Sequence, residues 1–166
     1  DLPAHGALAV EFVGVSFGYF PGEPVLQGID LRLEEGRVLG LLGRTGSGKT
    51  TLTRLLFRFY DVDAGEVRID ERPVGALRLE PLPQRVGMVT QDVQIFNATV
   101  RENLALFDPD VEDGWILAAI EELELGPWYG SLEEGLDTVI ATSSLSAGES
   151  QLLAFARVFL KDPGIV

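Results

Sequence analysis

The chain has 166 residues, 46% of them hydrophobic and 23% charged, which suits one globular domain with a sizeable core and excludes a disordered chain. Its 13 basic and 26 acidic residues leave a net charge of −13, which excludes broad binding to nucleic acid or an anionic membrane surface, since either needs clustered Lys and Arg. There is no cysteine, and the single histidine, His5, lies in the unpatterned segment 1–6, so disulfides, thiol nucleophiles, histidine triads and Cys/His metal sites fall away.

Segment 1–6 reads as the end of a linker. Residues 7–17 alternate and are rich in β-branched and aromatic side chains, which predicts a strand. A turn at 21–24 leads to a second alternating strand at 25–33, so an antiparallel β region opens the chain. Residues 37–42, RVLGLL, form a short continuous apolar run, the pattern of a strand buried on both faces. A helix is predicted from Lys49 to Tyr60, a short strand at 66–70, and a proline-broken loop with one helical turn at 71–85. Another buried strand is predicted at 86–90. Thr99 and Glu102 have the spacing of a capping box that opens a short helix. An amphipathic helix follows at 111–125 and a shorter one at 127–134. Ser146 and Glu149 form a second capping-box pattern, opening a helix to about Leu160, and a new apolar strand begins at the end of the chain. The order points to an α/β fold. No apolar run approaches the roughly 18–20 residues that cross a bilayer, so a soluble, cytoplasmic domain is expected.

The strongest motif is Gly43, Arg44, Thr45, Gly46, Ser47, Gly48, Lys49 and Thr50, a full phosphate-loop pattern set between a buried-strand run and a helix. Glycines let the backbone bend so that successive N–H groups surround the β- and γ-phosphates, and the helix start adds partial positive charge there. Lys49 brings a full charge and Thr50 a hydroxyl for a bound Mg²⁺. Nucleotide binding follows. The Asp-x-x-Gly and Asn-Lys-x-Asp motifs of a GTPase are missing, and no arginine-rich lid of a small-molecule kinase follows the loop.

Three further segments bear on the class. Residues 89–103, VTQDVQIFNATVREN, resemble the Q-loop region of ATP-binding cassette (ABC) proteins. Residues 145–166, LSAGESQLLAFARVFLKDPGIV, resemble the family signature and the run toward its second acidic motif, residues 15–36 resemble its opening, and residues 57–70 are also similar to the family. The chain is most similar to the nucleotide-binding domain of an exporter-type transporter. The resemblance implies a P-loop NTPase (RecA-like) core with an N-terminal antiparallel β region and an inserted α-helical subdomain, C-terminally incomplete. The divisions expected are a linker at 1–6, the β region and core at 7–91, the helical subdomain at 92–150 and a return to the core at 151–166.

By the same resemblance, Tyr19 takes the adenine, with Phe17 or Phe20 as stand-ins. The loop residues with Thr51 hold ATP, and Lys49 and Gln91 serve catalysis. Thr50 and Gln91 hold Mg²⁺. Leu145, Ser146, Ala147, Gly148 and Glu149 form a signature that meets the ATP of a second nucleotide-binding domain in a homo- or heterodimer. Ala147 and Glu149 stand where the family usually has glycine and glutamine. Ile95 and Phe96 would line a groove for the transmembrane domain of the same transporter, and the domain would lie on the cytoplasmic face of the inner membrane. Glu121, Glu122, Glu133 and Glu134 read as solvated helix faces. The parent would couple ATP binding and hydrolysis to export. The chain stops inside the apolar strand that should lead to the family's acidic pair, so this piece is expected to bind ATP weakly without hydrolysing it. Two alternatives stay open: a soluble ABC ATPase of DNA repair or translation, and a degenerate regulatory half of a heterodimer.

Overall fold

The computed structural model describes residues 2–3, 5–77 and 82–166. They form two compact units, one running to Val86 with Ile165 added, the other comprising 87–164 with Val166. The part of the proline-broken loop at 78–81 lies outside the described residues.

The first unit is built on an antiparallel sheet of β1 (Val10–Phe17), β2 (Leu26–Leu33), β3 (Ala64–Ile69) and β4 (Arg72–Pro73), in the order β2-β1-β3-β4. The alternation in the sequence sets the register. Val10 sits opposite Leu33 on one side and Ile69 on the other, and Phe12 opposite Leu31 and Val67. Their inward faces join Val15, Phe17 and Leu26 in one apolar cluster, against which α1 (Lys49–Leu56) lays Leu55. Where β1 slips register, side chains replace ladder bonds: Gly14 N–H donates to Asp30 Oδ1 at 2.7 Å and Gly28 N–H to Ser16 Oγ at 2.9 Å. Gly65, the second residue of β3, has φ +76°, and a Cβ there would lie 2.3 Å from the Val13 carbonyl, so only glycine lets β3 approach β1 at that bend.

Three expectations are corrected. Residues 37–42 carry no strand: Val38 is 99% and Leu42 97% exposed. Residues 86–90 and the end of the chain give only a single parallel bridge, Val86 to Ile165. A buried parallel strand takes its hydrogen bonds from neighbours far away in sequence, and none of the described residues supplies a ladder to these runs. The helix from Lys49 ends at Leu56 rather than Tyr60, because Arg58 turns left-handed at φ 52° and Phe59 N–H returns to the Arg54 carbonyl at 2.9 Å. Arg58 is fixed there by Asp61 at 3.2 Å and by the Leu77 carbonyl at 2.9 Å.

The second unit is mainly helical: α3 (Val100–Ala105), α4 (Asp113–Glu122), α5 (Gly126–Tyr129) and α6 (Ala147–Lys161), with α2 (Leu82–Arg85) preceding it in the first unit. A two-residue antiparallel pair joins β5 (Ala98–Thr99) to β6 (Val139–Ile140). Ile116, Ala119 and Ile120 recur at helical spacing along α4 and pack with Val100, Leu104, Leu153 and Ala156. Residues 151–161, expected to return to the core, continue α6 inside this cluster.

Candidate functional site

The first unit holds the phosphate loop. The chain turns at Thr45 and Gly46, Ser47 N–H donates to the Arg44 carbonyl at 3.1 Å, and α1 begins at Lys49. Gly48, the residue before the helix, has φ +87°, and a Cβ there would meet Leu26 Cδ2 at 2.6 Å. Both the dihedral and the space call for glycine. The Lys49 ammonium folds back over the loop. Its Nζ donates to the Gly43 carbonyl at 2.7 Å, the Arg44 carbonyl at 2.9 Å and Ser47 Oγ at 3.3 Å. A full positive charge is thus held at the mouth of the loop beside the start of a helix, a place suited to a polyphosphate. Thr50 is exposed in the first turn and Thr51 is buried beneath it.

Of the three candidate aromatics, Phe17 lies in the sheet core at 5% exposure and Phe20 stands out at 68%, while Tyr19 is half-buried against α1. The Tyr19 hydroxyl lies 3.2 Å from Thr51 Oγ1 and accepts from Arg54 Nη1 at 3.1 Å. The Thr51 hydrogen bond, with a lesser contribution from Arg54, holds the phenol below its usual range. Tyr60, beyond the end of α1, meets the Tyr19 ring edge-on at 5.2 Å.

Gln91 and the signature belong to the second unit, so the structure gathers Tyr19, Lys49, Thr50 and Thr51 in one place and Gln91 and 145–149 in the other unit. Gln91 is exposed in an irregular segment. Phe96 lines a surface groove with Met88, Gln94, Leu106 and Arg157. Ile95 does not share that groove. It is 8% exposed and packs inward on the helical core.

At the signature, Ser146 precedes α6 as its cap. Glu149 N–H donates to Ser146 Oγ at 3.2 Å, and Ser146 N–H donates to Glu149 Oε2 at 2.7 Å, the reciprocal pattern the sequence predicts. Thr99 and Glu102 repeat it at α3, at 3.1 and 2.8 Å. The Ser146 hydroxyl, then its backbone N–H, holds the Glu149 carboxyl below the usual carboxylate range, and the Thr99 backbone and hydroxyl do the same for Glu102. Folding lowers both pKa values, so both caps contribute fully above the ordinary carboxylate value and lose that contribution as pH falls through the lowered ones. Helical circular dichroism is therefore expected to fall on acidification below about pH 4.3, with a smaller fall when Glu102 and Glu149 are both replaced by glutamine. An equal fall in that variant would show that the caps do not carry it.

Sequence reading missed one buried network. Asn103 is fully enclosed. Its Nδ2 donates to the carbonyls of Phe96, Ala98 and Thr99, and its Oδ1 accepts from Phe96 N–H at 2.9 Å and Arg157 Nη2 at 3.2 Å. Arg157 also donates from Nε to the Asn103 carbonyl at 2.8 Å and from Nη1 to the Gln94 carbonyl at 2.7 Å. Burial pushes its pKa down. The available signal was Arg157 itself, a lone charge in the apolar run QLLAFARVFL.

No group of three or more His, Cys, Asp or Glu capable of holding a metal occurs among the described residues. Beside Lys49 the exposed Thr50 hydroxyl is an oxygen of the kind that Mg²⁺ takes. Among the described residues no helix is long and apolar enough to cross a membrane.

The profile of the family described as ABC transporter matches residues 26–166. A mycobactin import ATP-binding/permease protein of Mycolicibacterium smegmatis is 44% identical over 97% of this chain and 19% of its own length. The mitochondrial iron-sulfur clusters transporter of Kluyveromyces lactis is 37% identical over 99% of this chain and 23% of its own. The chain thus spans about a fifth of the length of these relatives. Among solved structures, a bacterial Atm1-family ABC exporter with ATP bound superposes with a TM-score of 0.87 at 32% identity, covering 98% of this chain and 30% of that one.

Proposed function

Since the chain belongs to the ABC transporter family, we propose that it is the ATP-binding domain of an exporter-type transporter, and that ATP binding and hydrolysis in the full polypeptide drive a substrate across a membrane. The observation that carries this reading is the Lys49 ammonium held over the phosphate loop at the start of α1. In the proposed reaction the loop N–H groups and Lys49 grip the β- and γ-phosphates, and Tyr19 receives the adenine. Thr50 and Gln91 hold Mg²⁺, which neutralises charge on the phosphates when bound. Gln91 also senses the γ-phosphate, and Ser146 and Gly148 meet the triphosphate held by a second nucleotide-binding domain.

Relatives named as ATP-binding/permease and transporter proteins support a membrane partner and a transport role over a soluble repair or translation ATPase. We place the domain on the cytoplasmic face of its membrane. One of those relatives is named for import, and none of the residues placed here would touch the cargo. The direction of transport therefore lies with the membrane domain.

The test is ATP hydrolysis by the full polypeptide in lipid vesicles. Gln91→Ala is expected to lower kcat about tenfold or more with a smaller loss of Mg-ATP affinity, because Thr50 and the phosphate oxygens still hold the ion while the lost contact matters most where charge develops. An unchanged kcat would remove Gln91 from the mechanism. Absence of any ATP hydrolysis by the unmodified polypeptide would overturn the proposal.

A further inference from the structure

We propose that Arg54 positions Tyr19 for the nucleotide base, so that it strengthens binding of ligands that carry a base and leaves bare polyphosphate unaffected. The proposal rests on the reading of Tyr19 as the base platform.

Thr51 and Arg54 are three residues apart on α1 and so share one face of it. The Tyr19 hydroxyl bridges them: Arg54 Nη1 donates to its oxygen at 3.1 Å, and Thr51 Oγ1 lies 3.2 Å away. The guanidinium carbon also lies 5.9 Å from the centre of the Tyr19 ring, within cation–π range. Phe17 and Tyr60 meet that ring edge-on at 5.0 and 5.2 Å. The ring is therefore held at its hydroxyl end by α1 and along its sides by two aromatics.

These supports differ in what else they do. Phe17 belongs to the sheet core and Thr51 is buried under the loop, whereas Arg54 is exposed and has no part in either cluster. The side-chain hydrogen bond and the ring contact that its guanidinium makes are both with Tyr19. A stacking surface gains affinity from a fixed orientation, because the cost of ordering it has been met before the ligand arrives. One helix then carries both the phosphate grip, at Lys49, and the anchor of the base plate, at Arg54. The spacing between polyphosphate and base is set by about one and a half turns of α1.

The experiment is titration of the full polypeptide with Mg-ATP and, separately, with magnesium tripolyphosphate, which has the phosphates but no base. Arg54→Ala is expected to weaken Mg-ATP about three- to tenfold, the range for one cation–π contact with one charged hydrogen bond, while tripolyphosphate affinity stays as it was. In a Tyr19→Phe background, where the hydroxyl is gone, the same replacement should have a clearly smaller effect. Equal weakening of both ligands, no weakening of Mg-ATP, or an undiminished effect in the Tyr19→Phe background would each overturn the proposal. Tyr19→Ala separates the two layers. If it leaves Mg-ATP affinity unchanged, the base-platform reading fails and Arg54's role with it. If it weakens Mg-ATP while Arg54→Ala does not, the platform stands and Arg54's role alone is lost.

Discussion

Lys49→Ala is expected to weaken Mg-ATP binding by about a hundredfold or more, the scale of a charge-assisted contact to phosphate, without lowering the stability of the fold. The two halves of that expectation have different origins. Nζ is a full positive charge held across the loop, on the Gly43 and Arg44 carbonyls and Ser47 Oγ, so its removal takes away a cation placed to meet the triphosphate. The three oxygens it leaves belong to exposed residues, where water replaces the lost donor at little cost. Lys49→Arg should recover only a small part, because a planar fork does not fit the compact position that an ammonium occupies among three oxygens. Titration calorimetry beside thermal unfolding reads both quantities. A variant that binds normally would remove the loop from nucleotide recognition, and one that unfolds would mean that the ammonium braces the fold.

The second large effect is expected at Asn103. Asn103→Ala should destabilise the helical unit by about 3 kcal/mol, because one substitution strips partners from several buried backbone groups at once. The carbonyls of Phe96, Ala98 and Thr99 lose their donor, and Phe96 N–H and Arg157 Nη2 lose their acceptor. Asn103→Leu restores the volume but none of the hydrogen bonds, and most of the loss should remain. That comparison separates the polar contribution from the cavity. The chain's two tryptophans, Trp115 and Trp128, both lie in this unit, so denaturant unfolding followed by their fluorescence reports on it directly. If the leucine variant were as stable as the parent, the network would be filling space and no more.

What could be read in advance was local. The β1–β2 pairing followed from alternation on either side of a proline–glycine turn. Both capping boxes followed from a hydroxyl and a carboxylate three residues apart. The phosphate loop was legible because its glycines, lysine and threonine each answer a separate geometric or electrostatic need. The misreadings had non-local causes. The apolar run at 37–42 has the composition of a buried strand, but composition cannot supply the neighbouring ladders, and Val38 and Leu42 stand exposed. The end of α1 was hidden for a different reason. Arg58 takes the left-handed position that glycine normally signals, held by Asp61 and the Leu77 carbonyl nineteen residues on. Asn103 was missed because an asparagine near a helix start usually reads as surface, and its partners in α6 lie more than fifty residues away.

The side-chain bonds at the slips of β1 bear on how copies of this domain can meet. β2 is the outer strand of its sheet, the position at which another chain could add itself by backbone pairing. Along β2, however, the Gly28 N–H bond to Ser16 Oγ and the Asp30 carboxylate on Gly14 N–H tie the strand to β1 where the register slips. Arg32 on β2 is exposed, its guanidinium tied to Glu34 at 2.7 Å and near Glu11 of β1 at 3.7 Å. An added strand would meet a row bent where β1 slips, and charges that it would have to strip of water. The sheet therefore protects its own border against growth, and association between copies is steered towards faces where side chains, not backbone ladders, make the contact.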